Sequence, residues 1–470
     1  MNTRLNVISD KPQLPEVVRA PYAGNALMVT LGCAKNLVDS EVMLGALRAK
    51  GFELVTDPNA ADLIVVNTCA FLESAVEEGV DRILEMSKYK KTARCKQLVV
   101  AGCMVERYRE DLEKSLPEVD RFISTDDLLL VGDSDSQSIL DKARRPYFLY
   151  DEGMPRVLST SNHLAYIKIA EGCDRPCTFC IIPKIRGQFR SRPIESILEE
   201  VRMLKSSGTK EFNLVAQDLT AYGNDRSRNN QGKELVKLLS GIEDIVSAEE
   251  RIWLRLLYAY PIGVSNELLA LIANSKVVCP YLDLPLQHVS DSVLKSMQRP
   301  LGGKKTKELI EKISKHSPEI AFRTTFLVGF PGETEQDIRE LEDFVSEGHF
   351  THLGVFAYSQ EKEAVSYSFD DQVPEQERAE RRERIMLAQQ SVVQRKLKSK
   401  IGKEETVLVD GVEGDKIIAR ASWQAPETDN CVIIDKIETG KLVNEPNGLK
   451  GKFVTVKYHS HSDYDLFAEI

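Results

Sequence analysis

Between Ala26 and Tyr358 one pattern recurs: a short run of β-branched and apolar residues, then a charged stretch with apolar residues at helical spacing. This alternation constrains the fold more than any other feature. Parallel strands can be joined only by long crossovers, usually helices that cover the sheet. The runs fall into two sets. In residues 26–145, ALMVTLGC, LIVVNTC and QLVVAGC each end in a cysteine, Cys33, Cys69 and Cys103. Carboxyl ends of parallel strands share one edge of a sheet, where ligands collect, so the three thiols should converge. Buried small hydrophobes capping core strands are the plainer alternative, but the same position three times, twice after a glycine, points to a three-thiolate cluster site.

The second set begins near His163 with LAYIKIA and continues with EFNLVA, IWLRLLY, VVCPYLDL, FRTTFLV and THLGVFAY. Helical stretches at Pro193–Lys205, Lys233–Ile245, Val264–Asn274, Lys304–Lys315 and Glu333–Ser346 separate them. Six strand–helix units imply a partial (βα)6 barrel whose chemistry sits at the carboxyl ends of its strands. Directly after the first of these strands comes EGCDRPCTFCIIP, in which Cys173, Cys177 and Cys180 form a Cys-x3-Cys-x2-Cys triplet. Three thiolates this close on one loop suit a four-iron cluster with one iron left open. A small molecule can chelate that iron and accept an electron, which is how S-adenosylmethionine is split into methionine and a 5'-deoxyadenosyl radical. A zinc knuckle would need a fourth ligand at finger-like spacing, which neither His163 nor Cys279 provides. Nine cysteines in a long chain also speak against a disulfide framework, and Cys95, Cys279 and Cys431 read as structural.

Polar groups that close the other strands are candidates for binding the cofactor or substrate. They are Gln217 and Asp218, Tyr258 and Tyr260, Gln287 and His288, and the turn Gly329–Glu333; an exposed loop role is the alternative for each. His288 is not needed as a metal ligand. Arg186, Arg190 and Arg192 follow the cluster loop, and a guanidinium can pair with the carboxylate of a bound cofactor. Beyond the cysteine ligands, no catalytic side chain is assigned.

From Pro374 to Ile401 the apolar spacing predicts a long amphipathic helix. ETVLVDGV, DKIIARASW, CVIIDK and KFVTVKYH then read as short strands of a small five-stranded barrel, a shape used to grip nucleic acid or protein. From Lys400 to Ile470 nine Lys or Arg stand against thirteen Asp or Glu, a net of minus four, which suits a basic protein better than a phosphate backbone. The whole-chain charge of −10 likewise argues against a general nucleic-acid binder. Trp423 in this region reads as either a substrate contact or a core aromatic.

At 470 residues the chain has room for about three domains. The expected division is a poorly ordered arm at 1–25, an α/β parallel-sheet domain at 26–145, the partial barrel at 160–395 and the small barrel at 398–470. Polar opening residues and the lack of an apolar run of eighteen predict no membrane span, no secretory signal and a reducing, cytoplasmic setting.

Taken together, LGCAKNLVDSE, NTCAF, AGC, EGCDRPCTFCIIP, RGQFRSR, YLDLPLQH and FLVGFPGET make the chain, from about Ala26 onward, resemble the radical S-adenosylmethionine methylthiotransferases. Within that family CDRPCTFCIIP and ARASWQAPETDN are most similar to the RimO-type branch, which modifies ribosomal protein S-twelve of the small subunit; a sister branch modifies adenosine in tRNA. The resemblance implies two 4Fe–4S clusters, an auxiliary one on Cys33, Cys69 and Cys103 and the radical-generating one on Cys173, Cys177 and Cys180. It implies a C-terminal TRAM-like barrel for substrate recognition. It also implies transfer of a methylthio group to the β-carbon of an aspartate, with one S-adenosylmethionine as methyl donor and another as radical source. That β C–H is not acidic enough for a side-chain base, so hydrogen-atom abstraction takes the place of proton transfer. Expected partners are the small ribosomal subunit and an electron donor such as a flavodoxin or ferredoxin, with tRNA only for the sister activity. A two-cluster electron carrier is the reading from a different class. Ala34 and Asn430 stand where the family pattern has proline and glycine, and neither removes a ligand.

Overall fold

A computed structural model of the protein describes residues 21–133, 149–227, 230, 232–436 and 446–470. It divides into two units, residues 1–175, 181–209 and 215–217 in the first and 176–180, 210–214 and 218–470 in the second.

The first unit contains a five-stranded parallel sheet. Its strands are β1 (Gly24–Thr30), β2 (Phe52–Leu54), β3 (Leu63–Thr68), β4 (Gln97–Gly102) and β5 (Arg121–Ile123), in the order β2-β1-β3-β4-β5. Every residue of β3 is buried, as expected for a parallel strand covered on both faces. Helices α1 (Ala34–Ala49), α2 (Glu73–Ser87), α3 (Tyr89–Thr92) and α4 (Cys103–Ser115) provide crossovers. Met43, Leu47, Val65, Val99 and Leu128 meet in the core. β1 starts inside the expected arm, because Asn25 N–H donates to Asp62 Oδ2 at 3.0 Å; the arm as far as residue 20 lies outside the described residues. A second difference lies in α1. It is not an amphipathic surface helix: Lys35, Asn36, Asp39 and Glu41 are all buried, and partners from later in the chain satisfy the last three.

Those partners are Arg156 and Ser159, Lys168 of β6 (Leu164–Lys168) and Arg186 of α5 (Ile182–Arg186); β7 (Ala170–Glu171), β8 (Arg190–Ser191) and α6 (Ile194–Ser206) lie in the same stretch. Arg156 donates to Glu41 at 2.6 Å and pairs with Glu200 of α6, and Arg192 donates to Glu200 at 2.6 Å. β7 and β8 form a two-residue antiparallel ladder that returns the chain after the cluster loop.

In the second unit the remaining barrel runs become β9 (Glu211–Val215, Val215 counting with the first unit), β10 (Trp253–Leu256), β11 (Tyr281–Asp283), β12 (Ala321–Val328) and β13 (His352–Ala357). β9 pairs with β10, and β11, β12 and β13 pair in that order, all parallel. Ala259 N–H bonded to Asp283 O at 2.9 Å and a parallel bridge between Leu254 and Val278 join β10 to β11. Helices α7 (Lys233–Glu243), α8 (Asn266–Asn274), α9 (Asp291–Ser296), α10 (Gly303–His316) and α11 (Glu335–Ser346) alternate with them. Thr334 and Asp337 form a capping box that starts α11 directly after the GFPGE turn. The long helix α12 (Glu375–Lys398) is tied down by Arg381, which donates to Glu333 at 2.7 Å.

β14 (Glu404–Glu413), β15 (Lys416–Ala421), β16 (Val432–Lys436), β17 (Phe453–His461) and β18 (Leu466–Glu469) close into a barrel in the order β14-β15-β16-β18-β17. The stretch ARASWQAPETDN fastens it to the parallel strands. Arg420 donates to Glu211 at 2.6 Å, Arg255 to Ser422 O at 2.6 Å, and Tyr281 Oη to Asp429 at 2.8 Å. Trp423 is buried against His352, rings 5.8 Å apart and nearly parallel, and so belongs to this joint.

Candidate functional site

The first unit gathers the widely spaced cysteines. β1, β3 and β4 are neighbours in the sheet. Cys33 is the N-cap of α1, Cys69 directly follows β3, and Cys103 is the first residue of α4. Two of these thiols, Cys33 and Cys103, sit at helix N-termini. Gly102 makes the turn possible. Its φ is +96°, and a Cβ there would lie 2.2 Å from Asn67 Oδ1 and 2.6 Å from Thr68 O. Gly32 plays the same part beside Cys69, whose Cβ would lie 2.7 Å from an added Cβ.

Burial pushes the Cys103 thiol up to about 12, against the pull of Arg186. Cys69 is also raised, by burial and then by neighbouring Cys33. Thiols held this way stay protonated until a cation pays for their ionisation. Among the described residues no group of three or more His, Cys, Asp or Glu stands preassembled around a metal position. The fit rests on the donor set: three soft sulfurs at adjacent strand ends suit iron and sulfide better than a hard cation.

Arg186 reaches this edge from α5. Its Nη2 donates to Asn36 Oδ1 at 2.6 Å and to Cys103 Sγ at 3.1 Å, and its Nη1 to Asp39 Oδ2 at 2.7 Å and Glu171 Oε2 at 3.3 Å. Lys168 closes the network, 2.5 Å from Asp39 and 2.6 Å from Glu171, and Gln217 Nε2 donates to Glu171 Oε1 at 2.5 Å. Burial alone would raise Glu171, but Lys168 and Arg186 outweigh it and hold the carboxyl far below the usual range.

Cys173, on the same unit, is buried, and its N–H donates to Gly187 O at 3.1 Å. The second unit holds Cys177 and Cys180, both half-buried. Between them Thr178 is fixed by its N–H to Met297 O at 3.2 Å and its hydroxyl to Ser296 O at 2.9 Å, while Phe179 packs on Val293, Met297, Phe330 and Tyr358. Arg299 Nη1 lies 3.8 Å from Cys177 Sγ, and its guanidinium stacks 4.1 Å over Tyr260.

Other expected site residues are placed variously. Tyr258 and Gln287 hold left-handed backbones at φ 64° and 75°, a strain that clusters at functional strand ends. Arg190 donates to the carbonyls of Arg186 and Gln188. Arg192 is turned into the interior, where it donates to Glu200 and Ser196. Arg186 is committed to Asp39, Asn36 and Cys103. His288 and Glu333 face each other in the interior, Nε2 and Oε2 3.4 Å apart. Sequence reading missed Asn36, Asp39, Lys168 and Glu171.

Comparison with known proteins agrees with this architecture. Residues 25–124 match an uncharacterized protein family, UPF0004, residues 167–345 the radical SAM superfamily, and residues 401–470 the TRAM domain. The ribosomal protein uS12 methylthiotransferase RimO of Syntrophotalea carbinolica is 43% identical over 94% of this chain and 96% of its own. Its counterparts in Solibacter usitatus and Aquifex aeolicus are 45% and 44% identical, covering 93% of this chain and 93% and 95% of their own. Among solved structures, the radical S-adenosylmethionine methyltransferase TsrM of Kitasatospora setae is 15% identical over 71% of this chain and 74% of its own, with a TM-score of 0.49. The relatives' identity and near-complete coverage show that this chain belongs to the RimO family of radical S-adenosylmethionine methylthiotransferases.

Proposed function

We propose that this enzyme places a methylthio group on the β-carbon of an aspartate in ribosomal protein uS12. The observation that carries the reading is its sharing of 43% of residues over 94% of the chain with a protein of that name, together with both cysteine triplets at strand ends. Membership of the superfamily implies a 4Fe–4S cluster and S-adenosylmethionine; the finer reading is two clusters. Cys173, Cys177 and Cys180 would hold one and Cys33, Cys69 and Cys103 the other. When bound, the first supplies the electron that cleaves S-adenosylmethionine and the second supplies sulfur.

The chain's own residues fix and shield this chemistry. The packed Phe179 and the bonded Thr178 set the loop. Gln287 beyond β11, Arg190 and Gln217 are the remaining candidates to orient the cofactor; Gln217 also holds the Glu171 carboxylate. The acidic barrel is the proposed docking element for a basic ribosomal protein, at domain boundaries near 26–145, 160–395 and 398–470. Small-subunit ribosomes as substrate, a flavodoxin- or ferredoxin-like donor and a cytoplasmic location complete the proposal. Among the described residues no helix is long and apolar enough to cross a membrane.

The test is the reconstituted enzyme with S-adenosylmethionine, a reductant and uS12. Formation of 5'-deoxyadenosine with a methylthio mass increment on an aspartate is expected. Deoxyadenosine without any modified uS12 or ribosome would remove the substrate assignment, and absence of deoxyadenosine would favour an electron carrier.

A further inference from the structure

We infer that Arg186 is a positioning residue for the auxiliary cluster, donating an N–H···S hydrogen bond to the Cys103 ligand. The inference rests on the proposed ligand role of Cys103. Three observations carry it. The guanidinium is 3.1 Å from Cys103 Sγ and almost fully buried. It is held rigidly, since Asn36 and Asp39, both on the helix that Cys33 caps, take its other donors at 2.6 and 2.7 Å. Lys168, also buried, shares Asp39 and Glu171, so the network stays charge-balanced without drawing Arg186 away from the sulfur.

Only arginine suits the position. Its planar fork serves a carboxylate, an amide oxygen and a sulfur at once, whereas an ammonium is a single point donor. Hydrogen bonds to cluster sulfurs are among the groups that set reduction potential, and a cationic donor favours the more negative, reduced state. Arg186 should therefore raise the potential of the auxiliary cluster. It lies on α5, just after the loop bearing Cys180, so one short segment carries a ligand of the radical-generating triplet and the donor to the auxiliary one.

The experiment uses the full chain with Cys173, Cys177 and Cys180 replaced by Ala, so that bound iron reports only the other triplet. The protein is reconstituted with iron and sulfide after labelling with 15N-arginine. Expected are a 15N hyperfine coupling in the reduced cluster, its loss in Arg186→Lys, and a more negative midpoint potential in Arg186→Gln. A cluster that binds but shows no arginine coupling overturns the inference, and that result needs no variant at Arg186 to fold. Coupling that persists in Arg186→Lys, or an unchanged midpoint in Arg186→Gln, overturns it as well. Failure of the arginine-intact chain to bind iron overturns instead the ligand assignment beneath it.

Discussion

Cys33, Cys69 and Cys103 sit on three separate strand–helix units whose strands, β1, β3 and β4, are neighbours in one sheet, whereas Cys173, Cys177 and Cys180 lie within a single loop. The first set is a tertiary property and inherits the stability of the sheet. The second is a local one that needs anchoring more than assembly, which Thr178 and Phe179 provide. Damage to the sheet should thus remove one set and spare the other, and that asymmetry can be tested in steps.

The sharpest break is at the cysteines themselves. Replacing Cys173, Cys177 or Cys180 by Ala should abolish 5'-deoxyadenosine formation. Replacing Cys33, Cys69 or Cys103 should leave that activity measurable while modified uS12 disappears. Equal loss of both activities in every variant, read by chromatography and mass spectrometry, would erase the distinction.

Next in size is Arg156→Met. It strands Glu41 in the interior, Glu200 keeping Arg192, and should cost about 3 kcal/mol, read as a lowered denaturation midpoint. A change confined to a few tenths would show that water reaches this carboxylate.

Gly102→Ala attacks the auxiliary edge without touching a thiol. A positive φ and a backbone contact at 2.6 Å should together cost about 2 kcal/mol and lower iron on that triplet, with deoxyadenosine formation preserved.

A pH-dependent effect follows from Cys103. Its folded-state value of about 12 lies above the ordinary 9.0, so the iron-free fold draws stability from the neutral thiol at pH below 9. That contribution fades as pH rises from 9 toward 12, by an amount of order a few kcal/mol in full. Denaturation at pH 8 and 10.5 should show a steeper alkaline loss for the native chain than for Cys103→Ala.

The same contrast explains what could be read from the sequence. All six barrel strands and the second triplet were legible because apolar runs and close spacing are local signals. The placement of the first triplet at the ends of neighbouring strands was legible too, since strand ends in a parallel sheet share an edge. The charged network was not. Asp39 and Lys168 carry no mark of burial until β6 and α1 each receive a partner, and Arg192 and Arg186 look alike in RGQFRSR although one packs on Glu200 and the other on Cys103. β2 and β5, three residues each, are too short to show any period. Trp423 could be placed in the core only once His352 was seen beneath it.

The most direct test of the central claim is mass spectrometry of uS12 and of bulk tRNA from cells with and without this gene. The account predicts a methylthio increment on an aspartate of uS12 that vanishes with the gene, with tRNA unchanged. Loss of the increment from a tRNA adenosine, with uS12 unaltered, would contradict it.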